Sequence, residues 1–201
     1  METAPQILHR ETRGDRTRTR FAEAALEELR EVGVDAASVS RIAERAGVSR
    51  PSFYFHFPTK EHVLLELQMS LEAPLAAQLR RSGPLREALE LFVAGVLEAE
   101  QRVGDPGLFA DMLRIHTQRG EDLLDGDRHL VFGALVDCFV RGAACGELRS
   151  GLEPEPAAGL CLACVFGYLM LNRDSPDQRR SELDTLVSLY LEAPSQQELS
   201  R

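Results

Sequence analysis

The sequence predicts an all-α protein of about nine helices in two parts, and three observations carry that reading. Apolar residues recur at i, i+3, i+4 and i+7 along most of the chain, lining one face of successive helices, while the strict alternation of a half-buried strand is absent. Gly and Pro punctuate the periodic segments, where they end and start helices. Charge is divided unevenly: residues 1–60 hold 10 basic and 9 acidic side chains, net +1, and residues 61–201 hold 13 and 23, net −10. A chain of 201 residues has room for a small head and a larger helical domain with its own core. The expected division is a flexible basic arm over 1–14, a three-helix head over 15–58, a helical domain over 59–192 and a frayed tail over 193–201.

The first helix runs from near Asp15 to Val32, burying Phe21, Ala25, Leu29 and Val32 before Gly33 closes it. Ser38 then caps a short helix whose apolar positions, Val39, Ile42, Ala43 and Ala46, share one face. Gly47 supplies the left-handed backbone that ends it. Ser49 caps the next helix, with Val48 and Phe53 where a hydrophobic staple forms. Pro51 falls in the first turn, where its missing N–H leaves no intrahelical bond unmade. Phe57-Pro58 stops this helix early, because a residue before proline is pushed out of the α region. The apolar set, with Phe57, is expected to be core. Arg50, Ser52, Tyr54 and His56 are then left exposed together, where in isolation they would fit an ordinary solvated face.

Downstream, Thr59 caps a long helix through Leu64, Leu67, Leu71, Leu75 and Leu79, stopping near Ser82-Gly83-Pro84. A winged-helix protein would need a β-hairpin there. The next helix starts at Pro84 and carries Leu85, Ala88, Leu89, Phe92, Val93, Val96 and Leu97. Gly104–Gly107 is a turn before a helix through Phe109, Met112 and Ile115. The acidic stretch 120–127 reads as a solvated loop, since Asp125-Gly126-Asp127 lacks the ligand count of a calcium site. A long helix then ends near Gly146, another runs from Pro154 to about Asn172, Asp174–Gln178 is a loop, and a last helix covers Ser181–Leu191. The longest apolar run, Leu160–Leu171, is 12 residues interrupted by Gly167, which suits a buried helix better than a membrane span. Met1–Arg20 is polar and has no signal-peptide pattern, so the expected location is cytoplasmic.

Enzyme chemistry finds no support. The chain has no GxSxG, P-loop, dinucleotide-binding glycine pattern or HExxH, and its five histidines form no ligand-spaced cluster, so no metal site or cofactor is expected. Cys138, Cys145, Cys161 and Cys164 lie in apolar helical segments at spacings unlike a zinc site, and read as small core residues. In contrast, five arginines (Arg10, Arg13, Arg16, Arg18, Arg20) gather before and at the start of the first helix, where a phosphate backbone would find positive charge.

Residues 38–61 resemble the head of TetR-family transcriptional regulators. The likeness rests on Ile42-Ala43, Ala46-Gly47-Val48-Ser49, Phe53-Tyr54-Phe55-His56-Phe57 and Lys60-Glu61, and spans roughly residues 15–64. Pro51 stands where many relatives carry Gly. The resemblance implies a helix-turn-helix protein of nine helices with a C-terminal ligand-binding and dimerisation domain. It also implies a regulator, in most relatives a repressor, that binds double-stranded operator DNA. By the family motif, Ser40, Arg50, Pro51 and Ser52 face base edges, and Ser38, Ser49, Tyr54, His56 and Lys60 contact phosphates. A homodimer is expected, because two symmetric heads read a pseudo-palindrome better than one short helix can. The apolar stripe Leu183, Leu186, Val187 and Tyr190, with Leu160, is its expected interface. The resemblance further implies a cavity for a small effector. Phe92, Val96, Phe109, Met112, His116, Phe132, Val136, Phe139 and Tyr168 are the candidate lining, which would favour an apolar or aromatic molecule, with His116, Thr117, Gln118 and Asn172 as polar contacts. The alternatives are an activator without a small-molecule effector, or a helical interaction module that no longer binds DNA.

Overall fold

The computed structural model describes residues 13–105, 107–112, 129–172 and 176–191. These form an all-α protein whose chain divides into two compact units, Met1–Leu67 and Gln68–Arg201. The helices are α1 (Arg13–Ala36), α2 (Val39–Arg45), α3 (Arg50–His56), α4 (Lys60–Leu79) and α5 (Leu85–Val103), then α6, described over residues 107–112. They continue as α7 (Leu130–Ala144), α8 (Pro154–Leu171) and α9 (Pro176–Ser188). Among the described residues the only β feature is one antiparallel bridge between Leu148 and Leu191. The basic arm up to residue 12, residues 113–128 and the tail after Leu191 lie outside the described residues, and with them Ile115, His116, Thr117, Gln118 and the acidic loop.

In the first unit each boundary has a local cause. α1 is broken at Gly33 (φ 76°), where the sequence places its end. Ser38 Oγ accepts the Arg41 N–H and Ser49 Oγ accepts the Ser52 N–H, so both helices of the turn are capped by the serines the sequence offers. Gly47 takes φ +65°, and an added Cβ would also lie 3.0 Å from the Arg20 guanidinium, which donates to the Ala46 carbonyl at the end of α2. Phe21, Ala25, Leu29, Ile42, Ala43, Ala46, Phe53 and Phe57 are buried, and Val32, Val39 and Val48 are half-buried at the rim. The Phe21 ring stands edge-on to Phe53 at 5.3 Å and to Phe57 at 6.1 Å, which fixes α3 to α1 through three aromatics.

The second unit is built around α5, α7, α8 and α9, with α7 on α8 and α5 on α9. Its ends are tied by long-range polar contacts. The Leu79 carbonyl at the end of α4 accepts Ser82 Oγ at 2.7 Å, Arg141 Nη2 at 3.2 Å and Cys138 Sγ at 3.3 Å. The Leu85 N–H at the start of α5 donates to Glu147 Oε2 at 2.6 Å. Between α5 and α9, Arg179 Nη1 lies 2.9 Å and 2.7 Å from the two Glu100 carboxylate oxygens, with both side chains buried.

Three expectations need correcting here. α9 begins at Pro176, inside the segment read as a loop, because a proline at the first turn is already set for helical φ. It ends at Ser188, after which Leu189 and Tyr190 make tight turn bonds to Leu186 and Val187, and the Tyr190 carbonyl accepts the Arg149 N–H. α8 has the extent expected, but judging a membrane span by its 12-residue apolar run alone is too narrow: the whole helix is 18 residues, enough by length and composition to cross a membrane. Its Ala157, Ala158, Cys161, Leu162, Val165 and Leu169 are nevertheless buried within the unit. Of the four cysteines, all free, Cys138 and Cys161 are buried as expected, whereas Cys145 and Cys164 are exposed.

Candidate DNA interface and effector cleft

The head presents one helix face unclaimed by its own core. Phe53 is fully buried, and the opposite side of α3 leaves Arg50, Pro51 and Tyr54 exposed, beside exposed Ser40 on α2 and Ser49 at the cap. The Arg50 guanidinium lies over the Tyr54 ring at 5.8 Å, with Nη2 at 3.5 Å from the hydroxyl. Ser38, Ser52 and His56 are partly buried, and the His56 ring rests 5.8 Å from Phe21. Eight of the nine residues expected to meet DNA are therefore exposed or partly exposed on α2, α3 and their caps, with the Ser38 and Ser49 hydroxyls already accepting cap bonds. A hydroxyl that accepts keeps its own hydrogen to donate to a phosphate.

Lys60 departs from that picture. Its ammonium donates to the carbonyls of Val34 at 2.8 Å, Asp35 at 3.1 Å and Ala37 at 3.1 Å. A lysine has three donors, and all three are committed to the turn between α1 and α2. The expected phosphate contact is corrected to a clamp that holds the start of α4 against that turn. The arginines at the start of α1 are likewise drawn inward. Arg18 Nε donates to Glu66 Oε1 at 2.7 Å and its guanidinium lies 5.2 Å from the Phe57 ring centre, while Arg20 caps α2. Arg16 stays exposed.

One feature of the head went unread in the sequence. Glu28 is fully buried on α1, and its carboxylate is met by Arg41 Nε at 3.1 Å and Arg45 Nε at 3.2 Å from α2. Hydrogen bonding and charge from Glu31, set against desolvation, raise the Arg45 pKa. A signal existed: two arginines four apart on the one helix that packs against an acidic stretch of α1.

In the second unit an open, apolar cleft lies between α4, α5, α6, α7 and α8. Val96, Phe109 and Met112 line it as expected. Its other walls are Leu71, Leu75, Ala99, Val131 and Phe166, and its polar edge is Gln68 and Glu72, joined by a 2.6 Å hydrogen bond. Phe92, Phe132 and Phe139 are core residues away from it, Phe139 packing edge-on against Tyr190 at 5.6 Å. Val136 is half-buried outside the lining, the Tyr168 hydroxyl donates to Glu182 at 2.6 Å, and Asn172 Nδ2 donates to the Tyr168 carbonyl at 3.1 Å. Gln68 and Glu72 were legible in principle, as two polar residues four apart on the apolar side of α4. A second open cleft shares Leu71, Leu75 and Ala99 with the first and continues over Pro74, Leu91 and Gly95.

The interface stripe on α9 also needs correcting. Leu183, Val187 and Tyr190 are buried within their own subunit, because the apolar side of α9 faces α5 and the Phe139 region; Leu186 is half-buried. Leu160, the α8 member of the expected interface, is 59 % exposed, and Met170 and Leu171 on the same helix are exposed as well, as are Val140 on α7 and Leu189 just after α9.

A capped pair of short helices, a Gly turn between them and a polar outer face on the second define a helix-turn-helix DNA-binding protein. Residues 22–67 match the family described as bacterial regulatory proteins, tetR family. The chain is 34% identical over 172 residues to the HTH-type transcriptional regulator SrpR of Pseudomonas putida, covering 82% of this chain and 79% of SrpR. It is 44% identical over 170 residues to the class A tetracycline repressor protein from transposon 1721 of Escherichia coli, covering 72% and 77%. In fold it resembles FadR of Thermus thermophilus, a repressor solved in complex with lauroyl-CoA, with a TM-score of 0.63 at 22% identity over 89% of this chain and 98% of that one. The chain belongs to the tetR family and is a DNA-binding transcriptional regulator.

Proposed function

We propose that this protein is a homodimeric repressor whose two heads read a pseudo-palindromic operator and are released by a small apolar or aromatic effector. The observation that carries the DNA-binding half is the surface of α3. Arg50, Pro51 and Tyr54 stand exposed on a helix that Phe21, Phe53 and Phe57 lock in place. Arg50, Pro51, Ser52 and Ser40 meet base edges in this reading, and Ser38, Ser49, Tyr54 and His56 meet phosphates. The effector half is supported by the apolar cleft, with the Gln68–Glu72 pair as its hydrogen-bonding edge. FadR, solved with lauroyl-CoA, is a relative in fold whose bound molecule carries a long apolar chain.

Dimerisation rests on the outer face of α8, where a second copy would cover Leu160, Met170 and Leu171. The protein would act in the cytoplasm, on DNA. Successive major grooves on one side of a duplex lie about 34–36 Å apart, so a modest change in head separation prevents both α3 helices from docking. α4 supplies the covalent link, since it begins at the clamp residue Lys60 and continues through the cleft residues Gln68, Leu71, Glu72 and Leu75. A coupling of about 1–3 kcal/mol would change operator affinity roughly 5–150-fold, and operator would weaken effector binding by the same factor. The test is a mobility-shift titration with DNA from the chain's own upstream region at two salt concentrations. A specific complex that weakens with salt, and forms as a dimer on a two-fold site, is expected; absence of any specific complex refutes the proposal.

A further inference from the structure

The most exposed large apolar side chain among the described residues is Phe55, at 85 %. It sits in the reading helix, in the middle of the surface assigned to DNA, yet the base-edge and phosphate contacts above make no use of it. At about 100° per residue, Phe55 points roughly 200° away from Phe53, the anchor buried in the head's core. It is therefore held outward by the same packing that fixes the helix. It is also positioned laterally, because its ring stands edge-on to His56 at 5.2 Å and 90°.

The neighbours sort α3 into two strips. Arg50 and Tyr54, four apart and in contact, make a cationic and hydroxylic strip suited to a guanine edge and a phosphate. Pro51 and Phe55, also four apart and both exposed, make an apolar strip beside it. Among the groups that a B-form major groove presents on its base edges, one is apolar: the 5-methyl of thymine. From this juxtaposition we propose that Phe55, with the Pro51 ring, is a specificity-determining contact that reads a thymine methyl group in each operator half-site. The inference rests on the proposed docking of α3 and adds a base identity to it. An apolar strip against a methyl explains how a helix of seven residues gains sequence discrimination beyond the single bidentate contact available to Arg50.

A thymine methyl buried against the ring is worth about 0.8 kcal/mol, or roughly fourfold in affinity per half-site and about sixteenfold when both halves lose it. The experiment starts from a duplex enriched by the full-length protein out of a random-sequence pool. Each thymine is then replaced by deoxyuridine, which keeps every hydrogen-bonding group and deletes only the methyl. Fluorescence anisotropy titrations compare the unmutated protein with Phe55→Ala, and thermal unfolding of both proteins checks that this exposed substitution leaves folding unchanged. The expected result is one thymine per half-site whose replacement costs the unmutated protein about fourfold and costs Phe55→Ala nothing, with Phe55→Leu intermediate. The inference is overturned if every replacement costs both proteins equally, or if Phe55→Ala binds the parent duplex as tightly as the unmutated protein does. A protein that enriches no duplex at all overturns the docking of α3 itself, and this inference with it; that outcome differs from the other two because operator binding is lost before any thymine is changed.

Discussion

Lys60 offers the sharpest test of the head's architecture, because a clamp and a phosphate contact respond differently to the same substitution. Lys60→Met keeps the aliphatic stem and removes the three donors to Val34, Asp35 and Ala37. The bond to Asp35 is exposed, so water replaces it with little loss. The bonds to Val34 and Ala37 are part-buried and come from a charged donor. Together these set the destabilisation at about 2 kcal/mol. For a chain of this size that is a fall of about 4–8 °C in the midpoint of thermal unfolding. Operator affinity should drop as well, since the α1–α2 turn positions Ser38 and Ser40. The dependence of log K on log[salt] should keep its slope, because no phosphate partner is lost. A phosphate-bound lysine would behave in the opposite way, flattening the slope by about 0.9 per head. Arg16→Ala is the control: exposed at the start of α1, it should flatten the slope and leave unfolding unchanged. An unchanged unfolding midpoint together with a flattened slope for Lys60→Met would refute the clamp.

Val96→Trp should fill the cleft between Phe109 and Met112 and abolish release by effector while operator affinity stays within a few-fold, as read by titration of operator with and without an effector found by thermal-shift screening. Glu100→Ala should cost about 3–5 kcal/mol, because it strands the buried Arg179 charge, and replacing both partners with Met should recover most of that loss in denaturant unfolding. Leu160→Glu with Leu171→Glu should give folded monomers by sedimentation and abolish two-fold operator binding. Iodoacetamide at pH 8 adds an independent readout of the same surface. Burial, and then the neighbouring Cys164, push the Cys161 thiol up to about 12, so it should stay unlabelled, becoming reactive only as pH rises through that value. Cys164, exposed on α8 one turn from Leu160, should be protected in the dimer and labelled in the monomeric variant, whereas exposed Cys145 should be labelled in both.

The parts of this molecule that were legible in the sequence are those decided within a few residues. Ser38 and Ser49 cap helices whose N–H groups lie three positions on, Gly47 relieves a backbone strain at its own Cα, and Phe53 and Phe57 follow helical spacing. Lys60 was misread because its partners are 23–26 residues earlier, in a turn whose place beside α4 is a tertiary fact. The α9 stripe was seen correctly as apolar, but periodicity says only that a face is buried, and the choice between a subunit's own core and a second copy lies in packing. The cleft was half-legible for the same reason. Val96, Phe109 and Met112 line it, while Phe92 and Phe139, equally aromatic or apolar by sequence, fill core positions around it.

The contact between α4 and α5 has a consequence for how this scaffold changes its chemical preferences. A Cβ placed on Gly95 would fall inside contact distance of Leu75 Cδ1, with Cδ2 at 2.9 Å and Cγ at 3.1 Å. Leu75 is also part of the partition shared by the two adjoining clefts. A single methyl at position 95 therefore acts as a volume dial. It would displace the Leu75 side chain and so reshape the wall that the two clefts share. If the clefts hold the proposed effector, a change between Gly and Ala at this position would retune the preferred molecule in one mutational step, with the residues of α3 unchanged.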